Sequence, residues 1–129
     1  MADLNSTQAS QLGDNFFAMA KLVGNYRMAN RASLTNEQND KLKEVYTKLS
    51  DYADQLFTTS AILVMNDVQN SLDKINQLTA QIKTTYTNLQ KVQKAINIAT
   101  AGVKLGAAIF SKDLLAIKTA VKGLGDSMK

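Results

Sequence analysis

Apolar residues recur with heptad spacing through the second half of the chain, and this pattern restricts the fold more than any other feature. With Ile75 at the first heptad position (a), the a positions are Ile75, Ile82, Leu89, Ile96, Val103 and Phe110, and the fourth positions (d) are Leu78, Thr85, Val92, Ala99 and Gly106. Such spacing is typical of an α-helix that buries one stripe against a neighbour. The pattern therefore predicts one long helix over about residues 67–110.

The d residues lose bulk from Leu78 to Gly106, and Gly102 and Gly106 form a Gly-x-x-x-Gly in the Ala/Gly-rich segment 95–110. Small residues let a second helix approach closely. Each Gly costs about 1 kcal/mol of helix propensity relative to Ala, which packing must offset. We predict a contact surface here, called the seam: Ile75, Leu78, Ile82, Leu89, Val92, Ile96, Ala99, Gly102, Val103, Gly106 and Phe110.

The first half of the chain predicts two further helices. No proline is present, which favours long helices with few connections. A stripe of Leu12, Phe16, Met19, Val23 and Tyr26 predicts a helix that reaches about residue 30 and begins either near residue 6 or at residue 14. Residues 1–12 are expected to be flexible.

The second helix is predicted to begin at a capping box formed by Thr35 and Gln38. An apolar stripe then runs from Leu42 to Phe57, opposite a charged face. We expect a turn within 58–67, either at the Thr/Ser cluster 58–60 or at an N-cap formed by residues 66–67. A helix without this turn would be roughly 110 Å long and would have no neighbour able to cover it.

The C-terminal residues predict a short last helix over about 112–124. Ser111 is the expected N-cap, Asp113 lies in its first turn, and Gly123 or Gly125 is expected to end it. The predicted fold is thus a single all-α domain over residues 1–129, an elongated antiparallel bundle of three to four helices. A helix over 67–110 would be about 65 Å long against about 25–45 Å for the first two, so part of the seam is expected to need a protein partner or a second copy.

Charge is distributed unevenly along the chain. Residues 1–73 carry six basic and nine acidic side chains, a net −3, whereas residues 74–129 carry nine Lys and two Asp, a net +7. In the heptad frame most of these lysines form a basic face: Lys83, Lys91, Lys94, Lys104, Lys112, Lys118 and Lys122. This face suits an anionic membrane surface. Both arginines lie in the acidic half and no aromatic residue alternates with the lysines, which argues against nucleic acid as the partner.

The residue types argue against catalysis and metal binding. The chain has no His and no Cys, which removes the commonest general base, the thiolate nucleophile and the preferred ligands of zinc. Neither a Walker motif nor a dinucleotide fingerprint surrounds the glycines. We therefore expect no enzyme activity, metal or cofactor. The N-terminal residues lack the pattern of a secretory signal, which predicts a cytoplasmic protein, with signal-independent export as the alternative.

Long amphipathic helices followed by an Ala/Gly-rich hairpin resemble the α-helical pore-forming toxins related to haemolysin E. The resemblance covers about residues 68–124 and rests on composition and periodicity. It implies a membrane-active module that uses segment 95–110, lying on or entering anionic lipid.

Two functional hypotheses follow. The first is a non-enzymatic helical protein that binds a partner or itself along the seam, as a secretion accessory, a structural or phage-type component, or an inhibitor or immunity protein would. The second is the membrane-active module.

Overall fold

Five α-helices make up most of the described chain, which comprises residues 2–58, 64–65 and 68–129 of a computed structural model. They are α1 (Ser6–Ala29), α2 (Asn36–Thr58), α3 (Val68–Thr87), α4 (Val92–Ser111) and α5 (Leu114–Ser127), with a 3₁₀ turn at Arg31–Ser33. Two short strands, β1 (Ala2–Asp3) and β2 (Val64–Met65), pair antiparallel, with Ala2 opposite Met65. The prediction of an all-α fold is confirmed, and the helices pack as a bundle, but the described residues form five helices where we predicted three to four.

Helix α1 begins at the earlier of its two predicted starts. Asn5 is the N-cap: its side-chain oxygen accepts from the Gln8 amide at 2.8 Å, and its own amide donates to the Gln8 side chain at 3.0 Å. This reciprocal pair satisfies two amides that the first turn leaves free. Residues 6–12, which we expected to be flexible, are helical, and Leu12 is fully buried.

Helix α2 begins at the predicted capping box and packs antiparallel on α1. The Gln38 amide donates to the Thr35 hydroxyl at 3.1 Å, and the Thr35 amide donates to the Gln38 side chain at 2.9 Å. Leu42, Leu49 and Leu56 supply much of its buried stripe. Because α2 ends at Thr58 and α3 begins at Val68, the two helices are separate as predicted. Residues 59–60 and 66–67, on which the two proposed boundaries depend, lie outside the described residues.

The prediction of one long helix over 67–110 is wrong, because the chain leaves the helical path between Thr87 and Val92. Hydroxyl and amide side chains crowd the break, and such residues bond to nearby backbone instead of supporting the helix. Thr87 donates to the Lys83 carbonyl at 2.9 Å, and the amides of Asn88 and Leu89 turn back to carbonyls three residues earlier. The heptad pattern continues on both sides of the break and so conceals it.

Helix lengths explain what the break achieves. Helices α1 and α2 have 24 and 23 residues, or about 35 Å each, whereas an unbroken helix would be about 65 Å long. Division yields two helices of 20 residues, about 30 Å each. Helix α3 then packs on α1, while α4 packs on α2 and α5. Each half of the seam therefore reaches a neighbour of matching length.

The last helix is present, but its ends differ from the prediction. Asp113, not Ser111, is the N-cap, and its carboxylate accepts from the amides of Leu115 and Ala116 at 3.1 and 3.2 Å. Ser111 instead donates to the Ala108 carbonyl at the end of α4, and Lys112 makes the turn in the left-handed conformation (φ 60°). Neither Gly123 nor Gly125 ends α5, which continues to Ser127 because neither glycine adopts a positive φ.

One contiguous apolar core joins all five helices. Among the described residues, Asn15 is the one polar residue that is buried in this core. Its side-chain amide donates to the Gln11 carbonyl at 2.9 Å and to the Asn76 side chain at 2.6 Å. The second bond links α1 to α3. A buried amide with both bonds made avoids the desolvation penalty that an unpaired amide would carry, and it fixes the register of the two helices.

Tyr86 connects α3 to α4 across the helix break. Its hydroxyl is buried and donates to the Ala95 carbonyl at 2.7 Å, so the last turn of α3 is bonded to the first turn of α4. Its ring packs against Tyr26 of α1 with centroids 5.4 Å apart. Burial raises the pKa of the Tyr86 hydroxyl far above its usual value, and the neighbouring Tyr26 hydroxyl raises it further.

The buried Tyr86 hydroxyl predicts a loss of stability at alkaline pH. Since the unfolded chain releases this proton at a lower pH than the folded chain, its contribution is complete below about pH 10 and declines above it. We expect the urea midpoint of wild type to fall above that pH more steeply than that of Tyr86→Phe. At neutral pH the variant should be about 1 kcal/mol less stable because it lacks the hydrogen bond. Parallel pH curves for the two proteins would contradict this assignment.

Candidate binding surface

The seam is part of the interior of the chain. Of its eleven residues, seven are buried (Ile75, Leu78, Ile82, Ile96, Ala99, Gly102 and Gly106) and four are half-buried (Leu89, Val92, Val103 and Phe110). Their neighbours belong to the same chain, because α3 packs on α1 and α4 packs on α2 and α5. Other helices of the same chain therefore cover the seam, whereas we predicted that a partner would be needed to cover part of it.

None of the eleven seam residues is exposed, as several would be if the seam extended well beyond its neighbours. The inference that the seam extends beyond its own cover is therefore wrong, for the same reason as the long helix: the break at residues 88–91 returns α4 to the bundle.

The narrowing toward the glycines is used for close packing. A Cβ at Gly102 would lie 3.3 Å from both the Leu49 and Met19 side chains, and a Cβ at Gly106 would overlap the Tyr52 ring. That ring is itself held in place, because it stacks on Phe110 with centroids 5.5 Å apart. Gly102 and Gly106 thus allow α4 to lie directly against α2, as the small residues predicted.

The predicted basic face is divided among several elements. Lys83 lies on α3, Lys94 and Lys104 on α4, Lys118 and Lys122 on α5, and Lys91 and Lys112 in the connections. All are exposed except the half-buried Lys94, whose ammonium donates to the Lys129 carbonyl at 3.3 Å. The helix break ends the single stripe that a continuous helix would have presented.

A groove of about 940 Å³ lies between the outward sides of α4 and α5. Small and hydroxyl side chains line it, at positions three and four residues apart on α4. The α4 side consists of Asn97, Thr100, Ala101, Lys104, Ala107, Ala108 and Ser111; the α5 side consists of Leu115, Ala116, Thr119, Ala120, Gly123 and Ser127, with Asp113 at the turn. We call this surface the α4–α5 groove. Helix α4 therefore has small residues on two faces, one packed inside and one open.

Sequence reasoning missed this groove although its signal was present. In the heptad frame its α4 residues occupy positions b, e and f, which are solvent-facing in most bundles and normally carry charge. Here Thr100, Ala101, Ala107 and Ala108 occupy those positions, with Lys104 as the exception. An uncharged outer face on an amphipathic helix indicates a surface that is not simply solvated.

Lys104 sets the electrostatics of the groove. Its side chain is exposed and forms no salt bridge within residues 2–58, 64–65 and 68–129. Asp113, the other charged residue of the lining, uses its carboxylate to cap α5. Residues 92–127 carry five Lys and two Asp, a net +3. The lining of the groove is thus nearly uncharged, whereas the two helices that form the groove carry a net positive charge.

At the tip of the α4–α5 hairpin, Leu115 is 74% exposed, the most exposed of the large apolar side chains that the structure describes. It lies one turn after Lys112 and at one end of the groove. None of the helices in the described ranges has the length and apolar character needed to cross a bilayer. Within the same ranges, His, Cys, Asp and Glu side chains form no cluster of three that could hold a metal ion.

No protein-family model matches the chain, and neither curated proteins nor solved structures include a significant match.

The two kinds of glycine in α4 and α5 predict opposite effects of added bulk. Gly106→Ala should destabilise the chain by about 1–3 kcal/mol, because the new methyl group overlaps the stacked Tyr52 ring. Gly123→Ala should stabilise it by about 0.5–1 kcal/mol, because nothing lies within 4 Å of the new atom and a helical Gly is replaced. Urea unfolding of both variants measures the difference. Equal effects would mean that α4 does not lie against Tyr52.

Proposed function

We propose that this chain is a non-enzymatic binding protein whose α4–α5 groove receives a helix of an acidic partner protein. The observation that carries the proposal is the open, small-residue groove on a helix whose other small-residue face is already packed. Shallow side chains such as Ala107 and Ala116 would let a second helix approach closely, as Gly102 and Gly106 do on the inner face. Helix-in-groove docking is a common mode of peptide recognition.

Charge favours an acidic partner. Lys104 lies in the groove without a salt-bridge partner among the described residues, and Lys118 and Lys122 are exposed on α5. An incoming carboxylate would find an unpaired ammonium beside apolar surface, where water is displaced on binding and the attraction is stronger than in bulk water. Such complementarity would fix the orientation of the partner and accelerate encounter more than it would add affinity.

The membrane-active hypothesis is favoured by one observation, the exposed Leu115 at the tip of the α4–α5 hairpin. Entry into lipid would require α4 to leave the bundle, since Leu105 and Ile109 are fully buried and Gly102 is packed against α2. Exposing two such side chains costs roughly 3–6 kcal/mol before lipid contacts are made. The groove needs no such rearrangement, and for this reason we place protein docking first.

A display library of the helical segments encoded by the source organism tests the proposal. We expect selection on the wild-type chain to enrich acidic helices with a small or aliphatic stripe. Their binding should weaken at least tenfold against Ala107→Trp, which fills the groove, and against Lys104→Glu, which reverses its charge. The matched control is Thr47→Trp, which introduces the same side chain at an exposed position on α2 and should leave binding unchanged.

Two results would contradict the proposal. One is enrichment of helices that bind Ala107→Trp as well as wild type, or no enrichment at all. The other is leakage of dye from phosphatidylglycerol vesicles at low salt that Lys104→Glu abolishes, which would favour the membrane-active module. Circular dichroism and urea unfolding of each variant would separate lost binding from lost folding.

A further inference from the structure

Large apolar side chains are concentrated on the outer side of the α1–α2 pair, away from the α4–α5 groove. Of the five such side chains that are strongly exposed in the described residues, four lie here: Phe17, Met28, Tyr46 and Phe57, which are between 41% and 58% exposed. We call this surface the α1–α2 face. Surface apolar residues that stand alone are ordinary, but aromatic and Met residues grouped on one face are characteristic of interfaces.

Helical geometry places these four residues in two facing rows. Phe17 and Met28 are eleven residues apart on α1, as are Tyr46 and Phe57 on α2, so each pair is only about 20° apart around its helix. The Phe57 ring comes within 2.7 Å of where a Cβ of Gly13 would lie, and the Tyr46 ring comes within 2.9 Å of the corresponding position at Gly24. The two glycines let both rings approach the backbone of α1 closely.

These contacts also define the register of the two helices. Gly13 faces Phe57 and Gly24 faces Tyr46, so the numbers of facing residues sum to 70 (13 + 57 and 24 + 46). In α1 numbering the four apolar side chains then lie at levels 13, 17, 24 and 28. Their mean is 20.5, with two on either side.

Charged residues on the same face are separated into an acidic and a basic end. Asp14 lies at level 14 and Asp54 at level 16, whereas Lys21 lies at level 21 and Lys43 at level 27. All four are exposed, and none forms a salt bridge within the described part of the chain. The mean levels, 15 and 24, are nine residues or about 14 Å apart along the helices.

We propose that the α1–α2 face binds the same face of a second copy of this chain, with the helices of the two copies antiparallel. A two-fold axis near level 20 would superpose the acidic end of each copy on the basic end of the other, and apolar rows on apolar rows. An isologous contact requires this kind of self-complementarity. A parallel arrangement would bring like charges together at both ends.

The area is sufficient for a stable dimer. Helix α1 is about 36 Å long, and two packed helices are about 20 Å wide, so the face covers about 700 Å² per copy. The total of about 1,400 Å² lies within the range of specific interfaces. The proposal is independent of the proposed partner site, since no residue of the α4–α5 groove contributes to it.

Sedimentation velocity of the whole chain tests the proposal through charge reversal. We expect wild type to sediment with twice the 14.1 kDa monomer mass at micromolar concentration. Two double variants should each be monomeric, Asp14→Lys with Asp54→Lys and Lys21→Glu with Lys43→Glu, because each sets like charges opposite one another in the homodimer. An equimolar mixture of these two variants should regain the dimer mass, as should the quadruple variant that carries all four substitutions.

Two single variants separate this contact from the groove. Phe17→Ser should weaken dimerisation at least tenfold, whereas Leu115→Ser, the same kind of change at the groove, should not alter it. A monomeric wild type at all concentrations, or double variants that remain dimeric, would overturn the proposal. A mixture that stays monomeric would overturn the antiparallel arrangement on which it depends. Ala107→Trp should still dimerise, so that failure of partner binding and failure of this contact can be told apart.

Discussion

The close contact between α4 and α2 at Gly106 is the interaction on which the arrangement of this chain depends. A helix without side-chain bulk at Gly102 and Gly106 can lie directly against Leu49 and Tyr52. The Tyr52 ring, stacked on Phe110 and edge-on to Phe16 at 5.9 Å, fills the space that the glycines leave. The contact offsets the helix propensity that two glycines forfeit, about 2 kcal/mol together relative to Ala. It also occupies the face of α4 that the heptad pattern marks as apolar.

Because the apolar face of α4 is packed inside the bundle, the surfaces that remain available for binding are ones that the heptad pattern does not mark as apolar. One is the outward side of α4, where Ala and Thr replace the expected charges and form the α4–α5 groove with the last helix. The other is the α1–α2 face, where Gly13 and Gly24 admit aromatic rings from α2. Glycine acts in the same way at both faces of the bundle, since its missing side chain lets a ring lie on a helix backbone. The difference is exposure: Tyr52 is half-buried, whereas Phe57 and Tyr46 are exposed.

Local signals in the sequence predicted local structure well. The capping box of Thr35 and Gln38 depends on residues within one turn and is present as expected. The long helix was predicted incorrectly because heptad periodicity reports which side of a helix is apolar, not whether the helix is continuous. The Thr-rich stretch 84–88 carried the contrary signal, since hydroxyl and amide side chains favour ends of helices over interiors. At the C-terminus we predicted Ser111 as the cap, but the left-handed turn at Lys112 follows it, and Asp113 caps α5 instead.

The surfaces that we propose for binding were less predictable because they depend on which helices become neighbours. The seam was expected to bind a partner only because its predicted cover was too short, and the break at 88–91 removed that premise. Phe17 and Phe57 are forty residues apart in sequence, and nothing in their local context indicates that they share a face. The register that unites them is fixed by Gly13 and Gly24, which only the packed structure reveals.

The inner face of α4 belongs to the core of the folded chain, so the binding that we propose uses other surfaces. Native-state hydrogen exchange tests it directly, because amides in a core element exchange only through global unfolding. We predict that the amides of Leu105, Gly106 and Ile109 exchange with a free energy equal to that of global unfolding from urea titration. Exchange of these amides at a much lower free energy than those of Phe16 and Leu49 would contradict the placement of α4 in the core. It would mean that α4 separates readily from α2 and offers its seam to other molecules.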